Sequence, residues 1–256
     1  MKVVILAGGF GTRISEETAT IPKPMVEVGG HPILSHIMRI YSHYGFNEFV
    51  LPLGYKGNVI KDYFVNFHPA NSDISVNLSN GEIDYHSTHD FEWNVRMVDT
   101  GLHTMTGGRV SRLRPLLEQD TFMLTYGDGV SDVNISELLD FHRSHGKLVT
   151  MTAVRPPARF GTMTFDGNNV TEFKEKPQTG EGWINGGFFV CEPGIFDYLV
   201  DGDETVLETT PLENLAKDGE LVAYKHDGFW KCMDTLRDKT QLCALWDEKM
   251  APWKKW

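Results

Sequence analysis

Four consecutive apolar residues, Val3-Val4-Ile5-Leu6, run into Ala7-Gly8-Gly9-Phe10-Gly11-Thr12-Arg13, and this junction constrains the fold more than any other stretch. A short, mostly β-branched run without polar alternation is the pattern of an interior strand buried on both faces, which calls for a parallel sheet with helices above and below. The glycines that follow let the backbone turn tightly and present bare N–H groups. Arg13 and Lys23 add two cations to the same region. Such a loop is suited to hold phosphate. Spacing excludes two common versions of it. A P-loop has Lys-Ser/Thr directly after its last glycine, where this chain has Thr12-Arg13, and the dinucleotide fingerprint counted from Gly9 and Gly11 reaches Ile14 where it needs Gly or Ala. Taken alone, the same residues would also serve a strand-to-helix turn that only packs.

Strand and helix patterns alternate beyond this point. Ile33, Leu34, Ile37, Met38, Tyr41 and Tyr44 recur at helical spacing after Pro32, Gly45 closes the helix, and Phe49-Val50-Leu51 reads as the next strand. Ile135, Leu138, Leu139 and His142 mark a second helix between Phe122-Met123-Leu124 and Val149-Thr150-Met151. This is βαβ logic and predicts a three-layer α/β fold, a mostly parallel central sheet, and a ligand at the carboxyl ends of its strands. The pattern changes where Ile74, Val76 and Leu78 alternate with polar residues, Asn80-Gly81 predicts a type I′ turn, and Ile83 and Tyr85 resume the alternation. A β-hairpin arm around residues 73–87 of a single domain, 1–256, is expected. An isolated hairpin is marginal in water, so this one needs cover from its own domain or from a second subunit, and a homo-oligomer is the expectation. His142 and His145 read as surface residues, since no second cluster answers them. The tail after Trp246 carries no motif.

With 256 residues, 41% of them hydrophobic, the chain has enough apolar side chains for a sizeable core. A formal net charge of −11 opposes non-specific binding to nucleic acid or to an anionic membrane. Any anionic ligand must be held by local cations. Cys191, Cys232 and Cys243 lack zinc-ligand spacing and read as reduced thiols of a cytoplasmic protein. The N-terminal apolar run is too short for a signal-peptide core, and no run reaches the roughly 18 apolar residues of a membrane span.

Leu6 to Arg13 together with Pro22-Lys23-Pro24 resembles the signature of the sugar-phosphate nucleotidylyltransferases. Further segments follow in that family's order: Asp99-Thr100-Gly101 with Met105-Thr106-Gly107-Gly108-Arg109, Tyr126-Gly127-Asp128-Gly129, Glu175-Lys176-Pro177, Ile184-Asn185-Gly186-Gly187-Phe188 and Met233-Asp234-Thr235. The glycine loop and the Gly-Asp-Gly motif are common to the class, whereas the Asp99 to Arg109 stretch narrows the resemblance to members that use CTP. The resemblance implies a Rossmann-like nucleotidyltransferase fold, CTP and glucose 1-phosphate as substrates, CDP-glucose and pyrophosphate as products, Mg²⁺ as cofactor, and a place in deoxysugar or dideoxysugar synthesis for surface polysaccharide such as O-antigen.

The resemblance also distributes roles. Arg13 and Lys23 are the catalytic cations; Leu6, Ala7, Gly8, Gly9, Phe10, Gly11, Thr12, Thr104, Gly108 and Arg109 join them and Asp128 around the nucleotide. Asp128 and Asp234 hold the metal. Glu175, Lys176, Asn185 and Gly186 receive the sugar phosphate. The residue chemistry agrees. Arg13 can fork onto phosphate oxygens and Lys23 can bring a point charge to them. A carboxylate at the end of a central strand suits Mg²⁺, which takes few carboxylates plus substrate phosphates. Each residue has a plainer reading beside this one: a solvated charge for Arg13, a stiff surface turn for Lys23, a turn for Asp128, an exposed turn or helix cap for Asp234, a helix-surface charge for Arg109 and a solvated loop for Glu175-Lys176. Three rival functions stand beside CDP-glucose synthesis: the same transfer with another nucleotide or sugar phosphate, a catalytically silent nucleotide-sugar-binding regulator, and, more distantly, a dehydrogenase. The intact set Arg13, Lys23, Asp128 and Asp234 argues against silence, and the missing third fingerprint glycine argues against the dehydrogenase.

Overall fold

Strand β1 (Lys2–Leu6) is buried on both faces. Val3 and Ile5 pack into one apolar cluster, Val4 and Leu6 into another, so one core lies above the sheet and one below it. The structure is a computed structural model that describes residues 1–86, 92–155, 162–166, 169–174 and 182–256.

From β1 the chain passes through α1 (Ser15–Thr18), the short pair β2 (Glu27–Val28) and β3 (His31–Pro32), α2 (Ile33–His43), β4 (Glu48–Leu53), α3 (Gly57–Val65) and α4 (Phe67–Asn71). The hairpin β5 (Ile74–Val76) and β6 (Ile83–Tyr85) follows, then β7 (Asn94–Asp99), α5 (Thr106–Arg112), α6 (Arg114–Leu117), β8 (Phe122–Tyr126), β9 (Gly129–Ser131) and α7 (Ile135–His145). The last part holds β10 (Val149–Val154), the ladder β11 (Thr162–Asp166) with β12 (Asn169–Lys174), β13 (Ile184–Cys191), α8 (Thr210–Lys217), β14 (Leu221–His226), β15 (Trp230–Cys232) and α9 (Leu236–Asp247).

Seven strands form the central sheet in the order β14-β10-β13-β8-β1-β4-β7. All neighbours run parallel except β13, which is antiparallel to both β10 and β8. The mostly parallel α/β fold expected from the strand–helix alternation is therefore present. One core takes Ile37 of α2, Leu138 of α7 and Leu242 of α9, and the other takes Val110 of α5 and Leu215 of α8. The chain moves from β1 outward through β4 to β7, then crosses back to β8 on the opposite side of β1. That reversal opens a crevice at the carboxyl ends of β1 and β8, the place where open α/β sheets bind ligands.

β13 is irregular where it borders this crevice. Its register against β10 shifts between Met151 and Ala153, and Gly187 and Phe188 both take positive φ, 76° and 47°. A bulky residue in the left-handed region costs about 1–2 kcal/mol. The surroundings hold it there: the buried Phe188 ring stacks on Tyr41 at 5.8 Å, and the Phe188 carbonyl accepts a hydrogen bond from Thr152 Oγ1 at 2.9 Å. The bulge turns Asn185 into the crevice.

Two expectations are corrected. The hairpin forms, pairing Ile74 with Tyr85 and Val76 with Ile83, but its turn is not type I′. Asn77 N donates to Glu82 O and Gly81 N to Asn77 O, closing a four-residue loop in which Gly81 takes φ 78° and Asn80 stays negative. Two-residue I′ turns need both central residues at positive φ, and this loop is longer. His142 is buried, not on the surface. It bonds Thr150 Oγ1 at 2.8 Å and Glu192 Oε1 at 3.1 Å, because α7 lays that side chain over β10 and the end of β13. α5 begins at Thr106, so Gly107 and Gly108 lie inside its first turn.

The unread tail also finds a place. Trp253 is fully buried, and its indole N–H donates to Nδ1 of His36 at 3.3 Å, while His36 Nε2 donates to the carbonyl of Val28 at 2.9 Å. Both partners dictate the neutral Nε2–H tautomer, since an indole only donates and a carbonyl only accepts. Burial lowers the His36 pKa to about 4.

Candidate active site

The crevice between β1 and β8 is a cavity of about 680 Å³. Residues 6–13 form one wall, Lys23 and Pro24 the floor, residues 103–106 with Arg109 a second wall, and Tyr126, Gly127, Asp128, Asn185, Trp230, Cys232 and Asp234 the rest. The wall begins where β1 ends. Gly11 turns the loop with φ 65°, its carbonyl accepts from Thr18 Oγ1 at 3.0 Å, and a Cβ there would lie 2.8 Å from Thr18 Cγ2.

Four charged side chains meet at the floor. Lys23 Nζ donates to Asp128 Oδ2 and to Asp234 Oδ1, both at 2.6 Å, and Arg13 Nη1 donates to Asp234 Oδ2 at 2.6 Å. Exposure separates the two cations: the Lys23 side chain is 13% accessible and that of Arg13 75%. The 3-10 turn Lys23–Met25, with Pro22 before it and Pro24 within it, fixes the lysine beneath the crevice. Burial pulls the Lys23 pKa down, but Asp128 and Asp234 outweigh it and hold it above its ordinary value. For Asp234 burial acts upward, and the hydrogen bond and charge of Lys23, with Arg13 behind them, bring the pKa below the usual range. The Cys232 thiol, 3.7 Å from Asp234, is pushed up to about 12 by burial and that carboxylate, so it stays a packed thiol.

Arg109 is buried, and its guanidinium is held by the protein itself. Nη1 donates to Leu53 O, Gly101 O and Thr100 Oγ1, and Nη2 to Gly8 O and Leu102 O, at 2.8–3.3 Å. It thereby ties the glycine loop to the end of β4 and to the turn after β7. The group fits only because it lies between glycines. A Cβ on Gly8 would come 2.3 Å from Arg109 Cζ, and one on Gly54 2.5 Å from Nη1. Burial lowers the Arg109 pKa, yet from a value so high that the charge persists.

The opposite wall is polar. Asn185 Nδ2 donates to the Tyr126 hydroxyl at 3.0 Å, and Trp230 Nε1 donates to the Gly186 carbonyl at 2.7 Å.

Most of the site residues expected from sequence converge here: Leu6, Ala7, Gly8, Gly9, Phe10, Gly11, Thr12, Arg13, Lys23, Thr104, Arg109, Asp128, Asn185 and Asp234 line one cavity. Gly108 and Gly186 do not line it. The Gly108 N–H is spent on the carbonyl of Thr205 at 3.0 Å. Glu175 and Lys176 lie outside the described residues. Sequence reasoning gave no role to His103, Tyr126, Trp230 or Gly54; of these only Tyr126 stood in a quoted motif.

The profile of the nucleotidyl transferase family matches residues 2–77 and 116–238. The stretch between, 78–115, holds the Asp99 to Arg109 segment. Two curated relatives, the glucose-1-phosphate cytidylyltransferases of Salmonella typhi and of Salmonella typhimurium, are each 50% identical to this chain over 100% of both sequences. Among solved structures, HddC from Yersinia pseudotuberculosis has the same fold, with a TM-score of 0.70 at 24% identity over 96% of this chain and 99% of that one. By the family profile and by identity over its whole length, the chain belongs to the nucleotidyl transferase family, and within it to the glucose-1-phosphate cytidylyltransferases.

Proposed function

We propose that this crevice transfers the cytidylyl group of CTP to α-D-glucose 1-phosphate, giving CDP-glucose and pyrophosphate. The observation that carries the reading is the meeting of Lys23, Arg13, Asp128 and Asp234 beside the glycine loop, in a chain whose full-length relatives are named for this reaction. A sugar-phosphate oxygen attacks the α-phosphorus as pyrophosphate leaves on the far side. Both substrates are anions, so the work lies in neutralising charge and aligning the attack. Arg13, reaching into solvent, meets the triphosphate first. Lys23, below it, carries its charge to the phosphates as the transition state forms. No base is required, since a phosphate monoester is already ionised near neutral pH.

Asp128 and Asp234 suit a shared divalent ion: one ammonium already bridges them, so their oxygens are no further apart than the sum of its two contacts. Among the described residues there is no group of three or more His, Cys, Asp or Glu that could hold a metal, and a two-carboxylate site completed by substrate phosphates is the habit of Mg²⁺. When bound there, Mg²⁺ would supply further positive charge to the triphosphate. The Asp99 to Arg109 wall would receive the base, with Thr104 lining it and Arg109 fastening it; Asn185, with Glu175 and Lys176, would receive the sugar phosphate.

The same reading includes a homo-oligomer in the cytoplasm. The hairpin leaves Ile74, Val76, Ile83 and Tyr85 each 40–47% exposed and Leu78 93% exposed, a set of apolar residues suited to a second copy. No helix among the described residues is long and apolar enough to cross a membrane. The deciding assay offers the pure protein each of four ribonucleoside triphosphates with a panel of hexose 1-phosphates and follows pyrophosphate. CTP with glucose 1-phosphate should give the highest kcat/KM; a preference for UTP or for another sugar overturns the assignment.

A further inference from the structure

Glu208 stands in the segment before α8, outside every motif quoted above. Its carboxylate joins two walls of the crevice. Oε1 accepts from the Tyr126 hydroxyl at 2.8 Å and Oε2 from Thr106 Oγ1 at 2.7 Å. A carboxylate only accepts, so both hydroxyls point their hydrogens at it. The phenol oxygen is then left to accept from Asn185 Nδ2 at 3.0 Å, and the threonine oxygen from Leu207 N at 3.0 Å. Asn185 in turn accepts at Oδ1 from Gly187 N at 2.9 Å. The bonds run unbroken from the β13 bulge to the start of α5.

The ends of this chain of bonds are the two halves of the site. Thr106 is the first residue of α5, the helix that carries Arg109, and Asn185 belongs to the wall assigned to the sugar phosphate. An anion beside a crevice that must take two phosphorylated substrates works against binding unless it is otherwise engaged. This one is engaged twice. We propose that Glu208 is a positioning residue that couples the nucleotide wall to the sugar-phosphate wall by holding Thr106 and Tyr126 on a single carboxylate. The coupling rests on the reading of this crevice as the site of both substrates.

The test compares Glu208→Ala with Glu208→Gln. A glutamine can accept from Tyr126 with its oxygen and donate to Thr106 with its amide, so it keeps the strut and loses only the charge. In Glu208→Ala, KM should rise about five- to twentyfold for CTP and for glucose 1-phosphate alike, with kcat changed less than about threefold. Glu208→Gln should stay within about threefold of wild type on all three. An unaffected alanine variant, a rise in only one KM, or a glutamine variant as poor as alanine overturns the proposal; the last would make the charge itself the substrate contact. A second measurement does not depend on turnover. Thr106→Ala and Tyr126→Phe, combined in a urea-unfolding cycle, should be non-additive with Glu208 present and additive in Glu208→Ala. Additivity in both backgrounds overturns the strut. If wild type makes no product from CTP and glucose 1-phosphate, the proposed function fails, and the unfolding cycle still decides the strut by itself.

Discussion

Lys23 Nζ lies 2.6 Å from Asp128 Oδ2, a contact that spans 105 positions of sequence and is matched by an equal one to Asp234. The ammonium stands where a shared divalent cation would also be drawn. Lys23→Met should therefore do two opposite things. It should lower turnover by roughly a hundredfold or more, the scale of losing one preorganised charge at a transition state. It should also strip Asp128 of its counter-charge and leave Asp234 with Arg13 alone, destabilising the metal-free protein by about 1–3 kcal/mol and tightening the binding of Mn²⁺ to the free enzyme. Calorimetric titration with Mn²⁺ in the absence of nucleotide checks this, and unchanged affinity would remove the competition between lysine and metal.

Arg13 should behave differently, because it is anchored at one point and otherwise faces solvent. Arg13→Ala should cost about a hundredfold in kcat while leaving the melting temperature within about 2 °C of wild type, as surface ion pairs contribute little to stability. A scanning melt and steady-state kinetics on the same preparation separate the two effects.

Arg109 is predicted to matter for the shape of the nucleotide wall. Arg109→Lys keeps the charge but cannot reach all five acceptors, so KM for CTP should rise at least about tenfold with a measurable loss of stability. Gly8→Ala should resemble it, since the new methyl would occupy the space of the guanidinium. A Gly8→Ala enzyme with normal KM for CTP would show that the loop tolerates displacement of Arg109.

His36 gives a pH dependence whose sign is fixed. Its folded pKa of about 4 lies below the ordinary value of 6.5, so the unfolded chain binds the proton more readily between those limits. The stability it contributes is complete above about pH 6.5 and is lost as pH falls towards 4, with a slope of up to about 1.4 kcal/mol per pH unit. The neighbouring His31 is also lowered, by burial first, and adds in the same direction. Urea unfolding of wild type and His36→Phe at several pH values tests this; the variant should show the flatter profile over that window.

The hairpin prediction concerns assembly. Replacing residues 74–85 with a short Gly/Ser link should reduce the molecular mass seen by light scattering to that of a smaller species. A monomeric wild type rejects assembly, and an unchanged oligomer after the deletion places the interface elsewhere.

The parallel sheet was legible because Val3 to Leu6, Phe49 to Leu51 and Phe122 to Leu124 are unbroken apolar runs, and two-sided burial leaves that trace in any order of chain. Asp128 was legible for a similar reason: strand ends are local facts. Gly54 and Glu208 were not. Gly54 has ordinary backbone angles and is glycine for the sake of a guanidinium that arrives from position 109, while Glu208 bonds residues 82 and 102 positions away. His142 was misplaced because its partners, Thr150 and Glu192, come from two other elements. A lone histidine on a helix says nothing of what will be folded over it.

The seating of Trp253 against His36 also sets an order of events in synthesis. That contact joins positions 217 apart, and the bonds from Asp234 to Arg13 and Lys23 span 221 and 211. A growing chain that has already emerged with its glycine loop and all of β1 still lacks the carboxylate that completes the charged floor and the indole that closes over α2. Contacts of such separation form late and slowly. The part of α2 that Trp253 covers therefore stays open until residue 253 has been made. The distance that makes the floor of the site unreadable from any short window of sequence also leaves a nascent chain without its charged floor until Asp234 has been made.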